Sequence, residues 1–263
     1  MNGLNEVSIE RVASTILSLL GVEKEKEMAS EIEKVTENRK CDRVIIYNPD
    51  AVAEWIYEAH RDLFSPILGK IDINIEMLSM VPPVTPVCFA YMYSGLLPDK
   101  HGIKEYVKPV LKCRTVFDCL SEKGRKCAIV STEGDSISKI FLERNIDYFI
   151  YKTKEDCNEK AFSLIDEDHY DLIVLYNGDY DHYMHRFSPE GKRSLMALKE
   201  NIETYSILIE RVKEKWKNHS TAIAFAPDHG CHRAYGILGS HGKEIPMDMN
   251  IRHFWSIIGE RDA

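Results

Sequence analysis

Two segments of the sequence place Asp and His residues directly after predicted β-strands. Asp181 and His185 follow the apolar run DLIVLYN, whereas Asp228 and His229 follow TAIAFA, and His241 comes shortly afterwards in GSHG. Carboxylate oxygens and imidazole nitrogens are ligands of divalent metal ions such as zinc. Any one of these His residues alone is more often a surface or hydrogen-bonded side chain. Five ligand-type residues after two strands nevertheless predict a metal-binding centre.

Two other residues are candidates for the same centre. Asp50 follows the run RVIIYN, although the segment PDAVAEW also fits a helix start with Asp50 as its N-cap, and the two roles are compatible. Thr85 comes directly before a helical stretch, where the helix N-terminus favours negative charge. A hydroxyl group there can attack phosphorus if a metal ion lowers its pKa. From the residues alone, a simple N-cap is the slightly favoured role for Thr85.

The elements that must position these residues alternate along the chain. Apolar runs predict strands at Val44–Tyr47, Ile71–Ile75, Cys127–Ser131, Tyr148–Tyr151, Leu172–Tyr176 and Ala222–Ala226. Helical periods fall at 51–63, 86–94, 115–123, 136–144, 155–166 and 190–216. Such alternation predicts a three-layer α/β/α fold with a largely parallel central sheet. Ligands in such folds bind beyond the carboxyl ends of the strands, where the candidate residues fall.

The first 40 residues have a different pattern. Residues 7–20 and 23–38 both show helical spacing, and the second stretch is rich in charge. We therefore expect an N-terminal helical extension at 1–40 and a catalytic domain at 41–263. The charged stretch is more typical of a solvated helix face than of a binding surface, and it receives no function.

Composition narrows the class of partner. The 263 residues include 34 Lys and Arg against 42 Asp and Glu, which gives a formal net charge of -8. Such a charge repels polyanions, so no nucleic acid polymer is expected, and a phosphate ester would need local positive charge of the kind that bound metal supplies. Neither a signal peptide nor a membrane-spanning run is evident, and the seven scattered Cys residues show no disulfide framework. These features predict a cytoplasmic protein with reduced thiols.

The motifs resemble those of the alkaline phosphatase superfamily, and the nucleotide pyrophosphatase/phosphodiesterase branch is the most similar. The first motif, a Pro-x-x-Thr followed by Gly and Leu-x-Pro-x-x-His-Gly-Ile, is matched by Pro82, Thr85, Gly95, Leu96, Pro98, His101, Gly102 and Ile103. The later motifs are matched by Asp181, His185 and Pro189, by Asp228, His229 and Gly230, and by His241 and Gly242. All of them occur in family order, and the resemblance extends roughly over residues 42–258.

The resemblance implies an alkaline phosphatase-like fold and a two-metal site for a small-molecule phosphate ester. One ion would be held by Asp181, His185 and His241, and the other by Asp50, Asp228, His229 and Thr85. Thr85 would be the nucleophile, and the ions would clamp the attacking and leaving oxygens. Ligand type and resemblance together predict zinc, with manganese or iron as alternatives.

Several positions depart from the pattern of that branch. Tyr106 stands where the branch has an Asn that holds a phosphate oxygen, and Pro86 replaces the aromatic residue that stacks on a nucleobase. The first change removes a phosphate contact of the branch, and the second weakens the case for a nucleotide substrate. Arg186 and Lys104 are basic residues beside the motifs, but exposed basic residues are common. His182 and His232 could orient metal ligands or simply face solvent.

Three functions are consistent with these motifs. The first is a metal-dependent hydrolase of phosphoric esters, of the phosphodiesterase or pyrophosphatase type, with a Thr nucleophile. The second is a phosphomutase or phosphatase of the same superfamily. The third is a catalytically inactive metal-binding protein, which the loss of the Asn at position 106 would favour.

Overall fold

Ten strands and twelve α-helices make up the computed structural model, which describes residues 3–37 and 39–259. The strands are Val7–Ser8 (β1), Arg43–Pro49 (β2), Ile73–Leu78 (β3), Cys127–Thr132 (β4), Asp147–Tyr151 (β5), Leu172–Asn177 (β6), Thr221–Phe225 (β7), His232–Ala234 (β8), Leu238–Ser240 (β9) and Asn250–Ile258 (β10). The helices are Arg11–Leu19 (α1), Glu33–Thr36 (α2), Glu54–Ala59 (α3), Ser65–Leu68 (α4), Thr85–Ser94 (α5), Pro98–His101 (α6), Val116–Glu122 (α7), Ile137–Ile140 (α8), Lys154–Glu167 (α9), Asp179–Phe187 (α10), Lys192–Lys215 (α11) and Pro246–Met249 (α12), with a 3₁₀ helix at Arg61–Phe64.

Eight of these strands form the central sheet, in the order β1-β3-β10-β7-β2-β6-β4-β5. Strand β10 is antiparallel to both of its neighbours, β3 and β7, and the other pairs are parallel. Strands β8 and β9 form a separate two-stranded hairpin. The largely parallel sheet predicted from the sequence is therefore confirmed.

Helices cover both faces of the sheet. Along β2, Val44 and Ile46 belong to a buried cluster with residues of α1, α5 and α7, whereas Ile45 and Tyr47 belong to a second cluster with residues of α3, α9 and α11. Successive side chains of a strand point to opposite faces, so a strand buried on both faces is apolar at every position. This is why the segment RVIIYN contains a continuous apolar run. Helices on both faces of the sheet give the predicted α/β/α layering.

Some local predictions were wrong. The helix expected at 51–63 is split into α3 and a 3₁₀ helix, and the one expected at 136–144 is only the single turn α8. Helix α10, the β8–β9 hairpin and β10 were not predicted. The segments of α10 and the hairpin are short and polar, and β10 carries Arg252 and His253 within its apolar run, so none of them has a clear period.

The N-terminal segment is less helical than expected. Residues 7–8 form β1, which pairs with β3 at the edge of the main sheet, and helix α1 packs its apolar face into the same buried cluster as α5. Of the helix predicted at 23–38, only Glu33–Thr36 is helical, and residue 38 lies outside the described residues, as do 1–2 and 260–263. The division of the chain at residue 40 stays a prediction. No helix in the described parts of the chain is long and apolar enough to cross a bilayer.

Candidate metal centre

The sheet topology brings the candidate residues to one edge. Strands β7, β2 and β6 are parallel neighbours, so their carboxyl ends lie side by side. Asp50 directly follows β2, Asp228 and His229 follow β7, and Asp181 and His185 lie on α10 after β6. His241 follows β9, and Thr85 is the first residue of α5.

One group of candidates consists of Asp50, Asp228 and His229, all of them buried. The Nε2 atom of His229 lies 3.4 Å from Oδ1 of Asp50 and 3.5 Å from Oδ2 of Asp228. The hydroxyl oxygen of Thr85 is 3.4 Å from both Oδ2 of Asp50 and Nε2 of His229. The Thr85 hydroxyl is therefore at the edge of this group.

The second group consists of Asp181, His185 and His241, and it is partly exposed. Oδ1 of Asp181 lies 3.3 Å from Nε2 of His185 and 3.5 Å from Nε2 of His241. Asp181 and His185 are four residues apart on α10, so one helix face presents both side chains. The ring centroids of His241 and His229 are 4.2 Å apart, so the two groups adjoin.

The donor atoms of both groups are oriented as metal ligands require. In the three His residues the Nδ1 atoms face backbone carbonyl oxygens, at 3.1 Å for His185 and Gly239, 2.9 Å for His229 and Gly230, and 2.9 Å for His241 and Pro83. An Nδ1–H that donates to a carbonyl leaves the Nε2 lone pair free for a cation.

Unpartnered carboxylate oxygens complete this picture. Oδ1 of Asp50, Oδ1 of Asp181 and Oδ2 of Asp228 are buried and have no hydrogen-bond partner among the described residues. Leaving a buried carboxylate oxygen unpartnered is costly, and a cation offsets that cost. Each group also has one donor atom per residue within 4.8 Å of the others. The residues therefore fit two divalent ions, and the two groups coincide with the ligand sets that the resemblance implied, apart from Thr85.

Burial and neighbouring charges shift the pKa values of several candidate ligands. Burial and the nearby carboxylate of Asp228 raise the pKa of Asp50, and burial also raises the pKa of Asp228. Burial opposes ionisation of Asp181 too, but the adjoining imidazole groups of His185 and His241 hold its pKa below the ordinary value. Burial and the neighbouring His229 lower the pKa of His241 to about 3, which keeps its imidazole neutral and ready to coordinate.

Sequence reasoning missed Tyr176, whose side chain contacts the candidate ligand Asp50. Its hydroxyl donates a short hydrogen bond to Oδ2 of Asp50, and the ring is buried beside Phe89. Because Oδ2 also accepts from Thr85, Oδ1 is the oxygen that remains free. The position of Tyr176 near the end of β6, beside Asp50 at the end of β2, was the available signal.

A cavity of about 460 Å³ adjoins the site. Asp50, Thr85, Asp181 and His185 line one side of it, and its other lining residues include Tyr106, Lys108, Lys154, His182 and Arg186. Lys108 and Lys154 were not singled out from the sequence, because nothing near them resembles a motif.

The remaining basic and histidine candidates lie in different places. Lys104 is outside the cavity and pairs with Asp99 at the surface. His232 is buried, and its Nδ1 lies 2.7 Å from Oδ1 of Asp248, whose backbone carbonyl accepts a hydrogen bond from Gly230 N–H. His232 thus supports the turn that carries His229 and is not itself a member of either group.

Solved structures share this fold. The chain is similar to murine ectonucleotide pyrophosphatase/phosphodiesterase 5, an inactive form in complex with AMP, with 15% identity over 73% of this chain and 58% of that chain and a TM-score of 0.59. The human counterpart gives the same identity, coverage and TM-score. Phosphonoacetate hydrolase from Sinorhizobium meliloti in complex with phosphonoformate gives 16% identity over 74% of this chain and 59% of that chain, with a TM-score of 0.55.

The likeness establishes the architecture. Both kinds of protein belong to the alkaline phosphatase superfamily, so this chain has an alkaline phosphatase-like fold, as the motifs predicted. The chain spans less than three fifths of the length of these relatives. No protein-family model matches the sequence, and the comparison with curated proteins found no match.

Proposed function

We propose that the protein is a metal-dependent hydrolase of phosphoric esters, of the phosphodiesterase or pyrophosphatase type. The observation that carries this proposal is the position of the Thr85 hydroxyl at the start of helix α5. Its oxygen lies 3.4 Å from Asp50 and from His229, two members of the buried Asp/His group. A second Asp/His group adjoins the first through His229 and His241. A nucleophile beside two cation-binding groups is the arrangement that phosphoryl transfer needs.

The ligands proposed for two divalent ions, most simply zinc, are the residues of these two groups. Asp181, His185 and His241 would hold one ion, and Asp50, Asp228, His229 and Thr85 the other. When bound, such ions neutralise charge on the phosphoryl oxygens and favour the ionised form of a hydroxyl ligand. Manganese or iron would suit the same donor set.

The protein's own groups suggest how the reaction begins. The Thr85 hydroxyl donates to Asp50, which can take its proton, and the positive end of α5 favours the resulting oxyanion. The Thr85 oxygen then bonds to phosphorus as the bond from phosphorus to the leaving-group oxygen breaks. The leaving group departs with the electron pair and takes up a proton from water. Water subsequently hydrolyses the phosphothreonine and regenerates the hydroxyl group.

The cavity supports a small-molecule substrate. A volume of about 460 Å³ is typical of sites for small ligands, and it opens beside Thr85. The similar structures hold AMP and phosphonoformate, both of which are small phosphoryl compounds. We therefore propose a small phosphate or phosphonate ester as substrate, with no nucleic acid polymer and no membrane as partner.

A reducing compartment is the proposed location. All seven Cys residues are free thiols, and six of them are buried. Cytoplasmic proteins keep their thiols reduced, so we infer that the protein works in the cytoplasm.

Substitution of Thr85 tests the proposed function directly. Zinc-loaded protein is assayed with chromogenic phosphodiester and phosphomonoester substrates, and Thr85→Ala is expected to lower turnover by on the order of 10³-fold or more. Thr85→Ser keeps a hydroxyl and is the matched control, which should retain measurable turnover. Elemental analysis of each variant shows whether the metal content is preserved.

The outcomes separate the alternatives. Unchanged turnover in Thr85→Ala would remove Thr85 from the chemistry. Transfer of the phosphoryl group to an added alcohol, in place of release to water, would indicate a phosphomutase or transferase. Full metal occupancy without turnover on any ester would indicate an inactive metal-binding protein.

A further inference from the structure

The cavity beside Thr85 is richer in cationic groups than a single phosphoryl group requires. Lys108, Lys154 and Arg186 all line it, in a protein whose formal net charge is -8. The carboxylates of the cavity account for only one of these cations. Of the remaining two, Lys108 is half-buried and Arg186 is exposed, so only Lys108 bears part of the desolvation cost that a nearby anion would offset.

Lys154 is already neutralised. Its Nζ atom lies 2.7 Å from Oδ2 of Asp179 and makes a still shorter contact with Glu200, and its side chain is only 15% exposed. These two carboxylates also raise the pKa of Lys154 against the effect of its burial. Lys154 therefore serves as part of the wall.

Lys108 is held in place without a direct ion pair to a carboxylate of the described residues. Its Nζ atom donates to the carbonyl oxygen of Gly134 at 3.0 Å and lies 5.2 Å from the ring centroid of Tyr106. An ammonium group has three donors, so this contact leaves two of them available. Within the described parts of the chain, no carboxylate lies within 4.0 Å of Nζ.

Asp135, an acidic residue that lines the same cavity, has hydrogen-bond partners of its own. Asp135 accepts hydrogen bonds from Thr132 and Ser131, and its burial raises its pKa although these bonds and the charge of Lys108 oppose that shift. The other carboxylates of the cavity are Asp50 and Asp181, which belong to the Asp/His groups, and Asp179, which pairs with Lys154.

Arg186 is the second cation without an ion pair among the described residues, but no contact holds its guanidinium group in one place. It is exposed on α10, and among the described residues it has no hydrogen-bond or ion-pair partner. An unheld guanidinium group on the surface is an ordinary feature of proteins. It therefore provides a comparison for Lys108 in the same cavity.

We propose that Lys108 is a specificity-determining residue that binds a second anionic group of the substrate, so that the protein prefers phosphoryl compounds that also carry a carboxylate or a second phosphoryl group. The inference rests on the proposed function, because it takes the reacting phosphorus to lie beside Thr85. Tyr106 forms the adjoining wall, where its ring supports the ammonium group from one side.

A binding experiment tests this proposal without requiring turnover. Zinc-loaded Thr85→Ala protein is titrated by calorimetry with ethylphosphonate, phosphonoacetate and methylenediphosphonate, which share one phosphonate group and differ in the second group. We expect phosphonoacetate or methylenediphosphonate to bind at least about 10-fold more tightly than ethylphosphonate. The comparison between these two ligands shows whether the second group is a carboxylate or a phosphoryl group. Zinc content is measured after each titration to exclude loss of metal to the ligand.

Variants of the same protein identify the residue. Adding Lys108→Ala should reduce the preference to near one, and Lys108→Arg should restore most of it. Lys104→Ala removes the same charge outside the cavity and should keep the preference. Equal affinity for the three ligands would overturn the proposal, as would a preference that survives Lys108→Ala or is lost only in Arg186→Ala. A protein that shows the preference but hydrolyses no ester would refute the proposed function and leave the subsite standing.

Discussion

At the scale of single residues, the orientation of four candidate ligands is set by an atom that would not touch the metal. His185, His229 and His241 are each anchored through Nδ1 to a backbone carbonyl, and Asp50 is anchored through Oδ2. Anchors of this kind fix ring tautomer and direction before any ion arrives. The free Nε2 and Oδ1 atoms then face one another with little conformational entropy left to lose.

Removal of the Tyr176 hydroxyl tests this view of Asp50. Tyr176→Phe should weaken zinc binding by roughly 10- to 100-fold, because the carboxylate loses the donor that orients it. Competition titrations with a chromophoric chelator measure the affinity. Tyr205→Phe is the matched control, since Tyr205 is also buried but donates to the carbonyl of Ile223. Equal affinities in both variants would show that Asp50 needs no orienting donor.

The pKa of His253 predicts a pH dependence of stability. Its burial lowers the pKa to about 4, whereas an exposed His titrates near pH 6.5, so from about pH 6.5 down to pH 4 the unfolded chain binds a proton that the folded chain does not. The free energy of unfolding should therefore fall as the pH falls. The contribution of His253 is about 2 kcal/mol between pH 7 and pH 5.

Urea denaturation of metal-free protein at these two pH values measures the effect. His253→Gln retains a donor for the carbonyl of Pro227, which Nε2 of His253 contacts at 2.8 Å, but it has no titration in this range. The variant should lose correspondingly less stability on acidification. A slope as steep as that of the native protein would contradict the assignment.

At the scale of secondary-structure elements, close contact between α10 and β9 brings His185 to His241. Gly239 in β9 faces Met184 in α10, and a Cβ atom on this glycine would lie 2.6 Å from the Met184 carbonyl oxygen and 2.5 Å from its sulfur. The carbonyl of Gly239 also accepts from His185. A small residue is thus required for the strand to reach the helix.

A methyl group at this position should separate the two elements. Gly239→Ala is expected to destabilise the fold by about 1–3 kcal/mol, because backbone atoms block the added Cβ, and to weaken zinc binding at the group containing His185. Urea denaturation and zinc titration measure the two effects. Gly69→Ala is the control, since a Cβ there meets nothing within 4 Å and the glycine φ is -80°. Similar behaviour of the two variants would show that this contact is not tight.

At the scale of the whole molecule, the candidate centre joins distant parts of the chain. Its members come from the ends of β2 and β7, from helix α10 after β6, from the start of α5 and from the segment after β9. Two divalent ions bound there would cross-link these elements. They would also relieve the repulsion between buried carboxylates that, together with burial as the larger cause, raises the pKa of Asp50.

Metal removal should therefore lower stability. An ion that binds only the folded chain stabilises it by about 4 kcal/mol per site when its free concentration is 1,000 times its Kd. We expect zinc to raise Tm and a chelator to lower it, as differential scanning calorimetry would show. In the double variant His185→Ala/His229→Ala the zinc-dependent shift should disappear. If zinc leaves the Tm of the native protein unchanged, that result would argue against both proposed sites.

Sequence alone determined much of this protein. The strands β2, β6 and β7 were evident because both of their faces are buried, which makes them apolar at every position. The ligand-type residues were evident because they stand at strand ends in family order. The N-terminal β1, helix α10 and the β8–β9 hairpin were not, since their segments are too short or too polar to show a period.

Only the tertiary structure decided how these residues act together. Tyr176 reaches Asp50 because β6 pairs with β2. Lys108 and Thr85 line the same cavity, although neither residue lies at the end of one of these strands. Such proximity depends on strand order and helix packing, which are long-range interactions. Residue types and spacing along the chain encode local structure and chemistry, but they do not specify which distant side chains become neighbours.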